Sequence, residues 1–551
     1  MPPGSPAPRP RSSASDDASE PWDVLVVGAG PGGLASALLL AGLGLRVHVV
    51  ERADVPGGRM GRVGDGTYTL DTGPTILQLP QVLEGIFRSA GLSLGDFVSL
   101  AKVEPNTRIH FWDGSRVDTF DDAEKNRRAW EGLMPGGAAR FDAFFREHEA
   151  KYRVAYDAFI AHDASSVLDY YNPLRLLPAM RFAPWESLAT NLGRTVKDPR
   201  LVYALSYPSK YLGLHPTTCS SVFSVVAFLE LAFGVFHPRG GFRALADGMA
   251  AAIAERGGSI SYGVDVERVL VERGRAVGVV VRQGGTTRTI RANHVVVNAD
   301  WAAAKSRLVA PADRPRTPDA ALERKRYSCS TFMLYLGLDR VYDSVPHHSI
   351  LLSEAARRTD RAALEDRDVD PEGAPFYVCN PSVTDPTGAP PGHSTLYVLV
   401  PCPNTSHAVD WKSVAPRMAD TIVRRLGRVG FEDLGRHVRM RRIAHAETWR
   451  DDFRVFRGAV FNLAHDMLQL GPLRPRVDDD DVDHLHWVGG GTHPGSGLLT
   501  IFESANLAAA SIARAHGIAF DRPKAPPIPR SAFQPPRTDS RLDGEALHHL
   551  L

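Results

Sequence analysis

The sequence predicts an α/β fold in which a unit built on a parallel sheet is interleaved with a second, mixed α+β unit. Three observations carry this expectation. The stretch Trp22 to Gly61 reads strand, glycine turn, helix, strand. A second glycine-rich turn, Gly489 to Gly497, follows a short apolar run near the far end of the chain and precedes a helical tract. At 551 residues the chain is too long for one ordinary core, and strand-rich and helix-rich tracts alternate between the two turns.

The first turn defines its ligand. Val24 to Val27 is a β-branched apolar run suited to a buried parallel strand. Gly28, Gly30 and Gly33 follow in G-x-G-x-x-G spacing, with Gly32 between them, and 32–42 reads as a helix of small and aliphatic residues. Leu45 to Val50 is a second strand closed by Glu51. In such a turn the first glycine permits the bend, the second lets backbone approach a pyrophosphate, and the third lets helix and sheet pack closely. The helix N-terminus offers free N–H groups to phosphate, and Glu51 can accept from a ribose. These features together make a Rossmann-like dinucleotide site.

Composition narrows the partners. The net charge is +1 with no basic block, which argues against nucleic acid. Cys219, Cys329, Cys379 and Cys402 sit far apart with no C-x-x-C pair, the pattern of a reduced, cytosolic chain with no metal site. Residues 1–20 read as a disordered tail without the apolar core of a secretory signal, and 519–551 as a proline-rich tail. The expected location is the cytoplasm.

Taken in order, 21–100 holds the first part of the nucleotide-binding unit and 101–236 the first part of the second unit. A helix begins at Gln81, short strands carry Ile109, Phe111 and Val117, and a helical region runs from Ala123 to Tyr156 with Phe141, Phe144 and Phe145 turned to the core. Residues 166–188 mix aromatic, aliphatic and basic side chains broken by Pro173, Pro178 and Pro184, which suits short amphipathic helices at a bilayer interface. Cys219 to Phe236 is the most apolar stretch. Its Glu230 would be costly in lipid, so it reads as a buried helix lining an apolar cavity rather than as a span. Residues 237–310 return to the nucleotide-binding unit with a Gly240-Gly241 helix and a run of strands. Residues 311–482 hold a polar linker (311–326), strands at 332–338, 394–401 and 459–464, and a solvated Asp478–Asp481 loop. Residues 483–518 complete the first unit with a strand at 485–488, the glycine turn and a helix from Thr500 to Ala515.

Gly57-Gly58-Arg59, just past Glu51, followed by TYTLDTGPT at 67–75, resembles the flavoprotein superfamily of amine oxidases and carotenoid desaturases. With Pro238-Arg239-Gly240-Gly241 and GGGTHPGSG at 489–497, the chain resembles the phytoene-desaturase-type carotenoid desaturases of bacteria and fungi over Trp22 to Gly517. Related amine oxidases often carry an acid after the glycine matching Gly491; here Thr492 stands there, as is usual for the desaturases.

The resemblance implies FAD held by Gly28, Gly30, Gly32, Gly33, Glu51 and Arg52 at the first turn, by Gly58 and Arg59 at the second, by Thr75 and Val266, and by Gly491, Thr492 and Leu499 at the terminal turn. It also implies hydride removal from a long acyclic carotenoid to the flavin, a peripheral membrane face, and oxygen or a quinone as electron acceptor. For the departing proton it points to Asp169, although Asn172 stands where the family can carry an arginine; Glu230, in its apolar stretch, is a second candidate. His493 reads equally as a residue shaping the flavin site or as a backbone lock beside Pro494, and Arg239 reads as structural. The same scaffold could serve 3,4-desaturation of a hydroxylated carotenoid or saturation of a carotenoid or retinoid, and a lipid-binding escort protein is the non-enzyme alternative.

Overall fold

The computed structural model describes residues 20–156, 177, 180, 182–357, 369–523 and 526–529. In chain order its strands are β1 (Trp22–Val27), β2 (Val47–Val50), β3 (Arg62–Gly64), β4 (Thr69–Asp71), β5 (Leu100–Val103), β6 (Thr107–His110), β7 (Arg116–Thr119), β8 (Val235–Pro238) and β9 (Ser259–Ser261). They continue as β10 (Asp265–Glu272), β11 (Arg275–Gln283), β12 (Thr286–Val297), β13 (Ser330–Leu338), β14 (His348–Leu351), β15 (Phe376–Cys379), β16 (Ser394–Cys402), β17 (Val438–Ala444) and β18 (Leu485–Trp487).

The first sheet has seven strands in the order β10-β11-β12-β1-β2-β9, with β18 also paired to β12. β1 lies parallel to both β2 and β12. β12 serves two partnerships: its first half is antiparallel to β11, and its second half runs parallel with β1 and β18. Because side chains alternate along a strand, Val24 and Val26 enter one core while Leu25 and Val27 enter another. The helices Pro31–Gly42, Gly241–Glu255 and Leu498–Ala515 cover the first face, and Trp301–Leu308 packs on the other. Burial on both faces explains the unbroken apolar runs at Val24–Val27 and Val295–Val297.

The second sheet runs β17-β13-β16-β15-β14-β6-β7, antiparallel except between β14 and β6. Phe332, Leu334 and Leu336 of β13 pack under the helix Trp411–Leu426, whereas Met333 and Tyr335 join the core shared with the first unit. Three tyrosines of this inner face reach the segment after β4. Tyr335 donates to the Thr72 carbonyl at 2.6 Å, Tyr397 to the Gly73 carbonyl at 2.7 Å, and the Tyr377 hydroxyl pairs with that of Thr75 at 2.7 Å.

Several expectations are corrected. Cys219 to Phe236 is not one helix: a short turn at Ser221–Ser224 leads into the helix Val225–Phe233, and Gly234, at φ 78°, releases the chain into β8. No helix among the described residues is long and apolar enough to cross a membrane. The region Ala123 to Tyr156 is broken at Gly136 into the helices Ala123–Leu133 and Gly137–Ala155. Residues 459–464 form turns with one bridge, Tyr327 to Leu463, rather than a strand. The 311–326 stretch is anchored: Arg314 is buried, donating to the carbonyls of Val309 and Thr317 and pairing with Asp319. The aspartate run is also not simply solvated, because Asp479 and Asp481 take the buried Lys305 ammonium between them. Most of the amphipathic tract at 166–188, Asp169 included, lies outside the described residues.

Candidate active site

A cavity of about 490 Å³ opens where β1 and β12 end and their helices begin, roofed by the inner face of the second sheet. Ligands of open α/β sheets bind at this end of the strands. Gly28, Gly30, Glu51, Arg59, Asn298 and Asp300 line one part, and Leu212, Val226, Leu229, Met333, Leu399 and Trp449 line another. One part is thus polar and backbone-rich, the other almost wholly apolar.

The polar part is shaped for a dinucleotide. Gly28 has φ 95°, and a Cβ there would lie 2.5 Å from the Asn298 carbonyl oxygen. A Cβ on Gly30 would meet the Asn298 side-chain amide at 2.6 Å, and one on Gly33 would meet the Gly28 carbonyl at 2.0 Å. The first and third glycines therefore let the turn fold on itself, and the second keeps open a space that faces the cavity. The helix Pro31–Gly42 has no side-chain cap, so its N-terminal dipole is left for an anion. Glu51 accepts from the Ala29 amide at 2.7 Å and the Ala53 amide at 2.9 Å, which fixes its carboxylate on the cavity wall with acceptor capacity to spare for sugar hydroxyls.

Other predicted residues fall around this cradle. Gly58, Arg52, Thr75, Val266 and Leu499 all line the cavity, and Gly32 lies in the turn beneath it, where a Cβ would press on Asn298 and Ile501. Arg52 is tied to the Asp452 carbonyl and Arg59 to the Val460 carbonyl, so each guanidinium keeps further donors. Burial lowers the Arg59 pKa, and the charge of Asp300 works against that shift. Asp300 itself caps the helix Trp301–Leu308 through the Ala303 amide.

At the terminal turn the wall is made by Gly489 and by Ser496 to Ile501, the start of the helix Leu498–Ala515. Gly491 and Thr492 lie behind that wall. A Cβ on Gly491 would stand 2.6 Å from the Trp301 side chain, and Thr492 is buried with its hydroxyl on the Gly489 carbonyl. The buried Arg474 grips the loop by donating to the carbonyls of Gly490 and Thr492, and desolvation drops its pKa to about 9. The sequence reading missed Arg474, as it missed Asn298 and Asp300. The Asn-Ala-Asp at the end of β12, ahead of a helix, was a readable signal, because it repeats the strand-to-helix geometry of the first turn.

Glu230 does not line the cavity that Val226 and Leu229 of its own helix face. It accepts from the Thr119 hydroxyl at 2.7 Å, and its backbone carbonyl takes the Asn106 amide. Burial raises its pKa, partly opposed by hydrogen bonds from Thr119 and Thr107. The lining carboxylates that are described, Glu51, Asp265 and Asp300, all sit with backbone amides or arginines, so among the described residues the polar groups of the apolar part are hydroxyls and amides such as Thr75, Gln78 and Tyr377.

The family model for flavin containing amine oxidoreductases matches residues 31–513, and the chain belongs to that family; its cofactor is FAD. Within it the chain is a carotenoid desaturase. It is 54% identical to the all-trans-zeta-carotene desaturase of Myxococcus xanthus over 93% of this chain and 96% of that protein. It is 34% identical to the zeta-carotene-forming phytoene desaturase of the same species, over 88% and 92%. The 4,4'-diapophytoene desaturase of a Methylomonas species is likewise 34% identical, over 90% and 96%. Among solved structures, an oxidoreductase from Methanosarcina mazei aligns with a TM-score of 0.58 at 18% identity, covering 89% of this chain and 99% of that one, and shows the shared fold.

Proposed function

We propose that this desaturase acts on zeta-carotene, an acyclic carotenoid already partly conjugated, rather than on phytoene, and that it works at the cytoplasmic surface of a membrane. The observation that carries the substrate reading is the contrast between two relatives from one organism: 54% identity to the zeta-carotene desaturase against 34% to the enzyme that forms zeta-carotene from phytoene.

Bound FAD supplies a hydride acceptor for the carbon–carbon bond that is dehydrogenated. The chain's own residues hold and orient. Gly28 to Gly33 and Glu51 take the dinucleotide, and the helix at Leu498 directs its N-terminus into the same cavity. A hydrocarbon offers nothing to hydrogen-bond, so Val226, Leu229, Met333, Leu399 and Trp449 bind it by exclusion of water. The tyrosine clamp on Thr72–Thr75 fixes the roof over both ligands.

The membrane reading rests on exposed apolar side chains. Leu177, Met180 and Trp185 are 64%, 50% and 65% exposed, and Met467 and Leu468 are 52% and 78% exposed. The two groups are joined through the Ser221–Ser224 turn: Ser221 bonds the carbonyls of Phe182 and Ala183, and the Phe223 ring meets His465 edge-on. That turn leads straight into the helix whose Val226 and Leu229 line the cavity, so the apolar surface adjoins a lipid-soluble substrate's route. Oxygen or a quinone reoxidises the flavin in this reading, and anaerobic turnover with added quinone separates the two.

The test is pigment extraction from cells accumulating phytoene and from cells accumulating zeta-carotene, each expressing this chain. The expected outcome is a red-shifted, longer-conjugated product only in the second. Conversion of phytoene would overturn the substrate reading, and no conversion of either would overturn the carotenoid step.

A further inference from the structure

On the inner face of the second sheet, two residues along β15 from the cavity-lining Tyr377, β14 and β15 hold a group of nitrogen and sulfur atoms for which desaturation has no use. His348 and Cys379 are partners across this antiparallel pair, and His347 precedes His348. One ligand atom from each of the three lies within 4.8 Å of the other two. All three side chains are buried, His348 at 0% exposure and His347 and Cys379 at 2% each.

The hydrogen bonding of the two rings is lopsided. Nδ1 of His348 is 2.6 Å from the Tyr377 hydroxyl, and Nδ1 of His347 is 2.7 Å from the Thr384 hydroxyl. Nε2 of both rings is buried without a hydrogen-bond partner. Leaving one such atom unsatisfied costs roughly 1–3 kcal/mol, and two in one buried cluster need a reason. An imidazole with one nitrogen anchored to an outer partner and the other free is the form in which histidine binds a metal. A third imidazole, His237 of β8, has its ring centroid 4.9 Å from that of His347. Its Nδ1 is buried and unpartnered, while its Nε2 stands 3.6 Å from the Asp385 carboxylate.

We propose that His347, His348 and Cys379, with His237 as the nearest fourth donor, bind a divalent ion of the zinc class in a structural site on the inner face of the second sheet, next to the cavity-lining Tyr377. Imidazole and thiolate donors suit a borderline-soft tetrahedral ion and not magnesium or calcium, which take oxygen. Burial holds the Cys379 thiol protonated well above its ordinary range, so binding forms the metal–sulfur bond and releases that one proton to solvent. Asp71 lies within electrostatic reach of both Cys379 and His237 and offsets the charge left on the site. Through His348 the ion would orient Tyr377, whose hydroxyl also holds Thr75 on the cavity wall.

The proposal stands apart from the substrate reading and is tested without turnover. The FAD-bound protein, purified without added metal, is assayed for zinc by mass spectrometry, stripped with chelator and titrated with Co²⁺. One equivalent of zinc, or a stoichiometric thiolate-to-cobalt charge-transfer band that zinc displaces, is expected. Cys379→Ser should abolish the band, and His347→Gln should weaken Co²⁺ binding at least about tenfold. Cys402→Ser, on β16, should leave the band intact, with FAD content reporting the fold of each variant. Metal-free protein that gives no band, or a band that survives Cys379→Ser, would overturn the site.

Discussion

The carboxylate of Glu230 meets the hydroxyl of Thr119 at 2.7 Å, away from the cavity that its helical neighbours Val226 and Leu229 line. A glutamate in an apolar stretch therefore ties the helix Val225–Phe233 to β6 and β7, and burial in that joint raises its pKa.

Glu230→Gln should accordingly leave FAD content unchanged, hold turnover within about twofold, and change folding stability by about 1 kcal/mol or less, because the amide oxygen can still accept from Thr119. Product formation by chromatography and a thermal melt check this. A loss of about a hundredfold with flavin retained would return Glu230 to the proton-transfer step.

Gly30→Val should yield folded protein that binds FAD at least about a hundredfold more weakly, a loss of about 3 kcal/mol. The added side chain starts 2.6 Å from the Asn298 amide and grows into the space the phosphates need. Flavin absorbance of the purified variant, with circular dichroism for the fold, is the measurement, and stoichiometric yellow protein would contradict the cradle.

Trp185→Glu combined with Leu468→Glu should abolish co-sedimentation with liposomes while leaving FAD bound, since both side chains are exposed and neither lines the cavity. Undiminished sedimentation would remove this surface as the membrane contact.

Acid should weaken the first sheet through His294. This buried ring sits among His484, His486 and His516, and its pKa is held near 3, first by desolvation and then by the neighbouring imidazoles. The unfolded chain takes up the proton below its ordinary value of 6.5 while the folded chain does not, so stability falls as pH drops. Between about pH 6.5 and pH 4 the loss is about 3 kcal/mol. Urea midpoints across that range should show it, and His294→Gln should flatten the dependence; equal slopes in the two proteins would rule His294 out.

What could be read ahead of the structure was local. Gly28 to Glu51 spans one strand–helix–strand unit, and the spacing of its residues is set by that unit alone, so motif and geometry coincide. Asn298 and Asp300 complete the same cradle from β12, hundreds of residues away, and only the pairing of β1 with β12 brings them there. At the terminal turn the motif marked the right loop, but its middle, Gly491 and Thr492, folds back under Arg474 while its flanks face the cavity. Apolarity along the chain signals burial without direction: seven residues of the Glu230 helix are buried, while its own side chain turns toward β7. The histidine and cysteine group on β14 and β15 depends on strand register, which the spacing of four scattered cysteines could not express.

The double role of β12 also sets an order in time. Val27, at the lip of the glycine turn, has Val50 beside it early in synthesis, but its other neighbour, Val297, emerges only after the strands β6 and β7 of the second sheet have been made. The loop and helix that finish the cradle, Gly489 to Ile501, come later still. Until then β1 has one bare edge, the condition in which a parallel strand is slow to settle and open to wrong partners. Capture of the cofactor is consequently among the last events in the making of this protein, because its cradle stays open until Gly489 to Ile501 has been made.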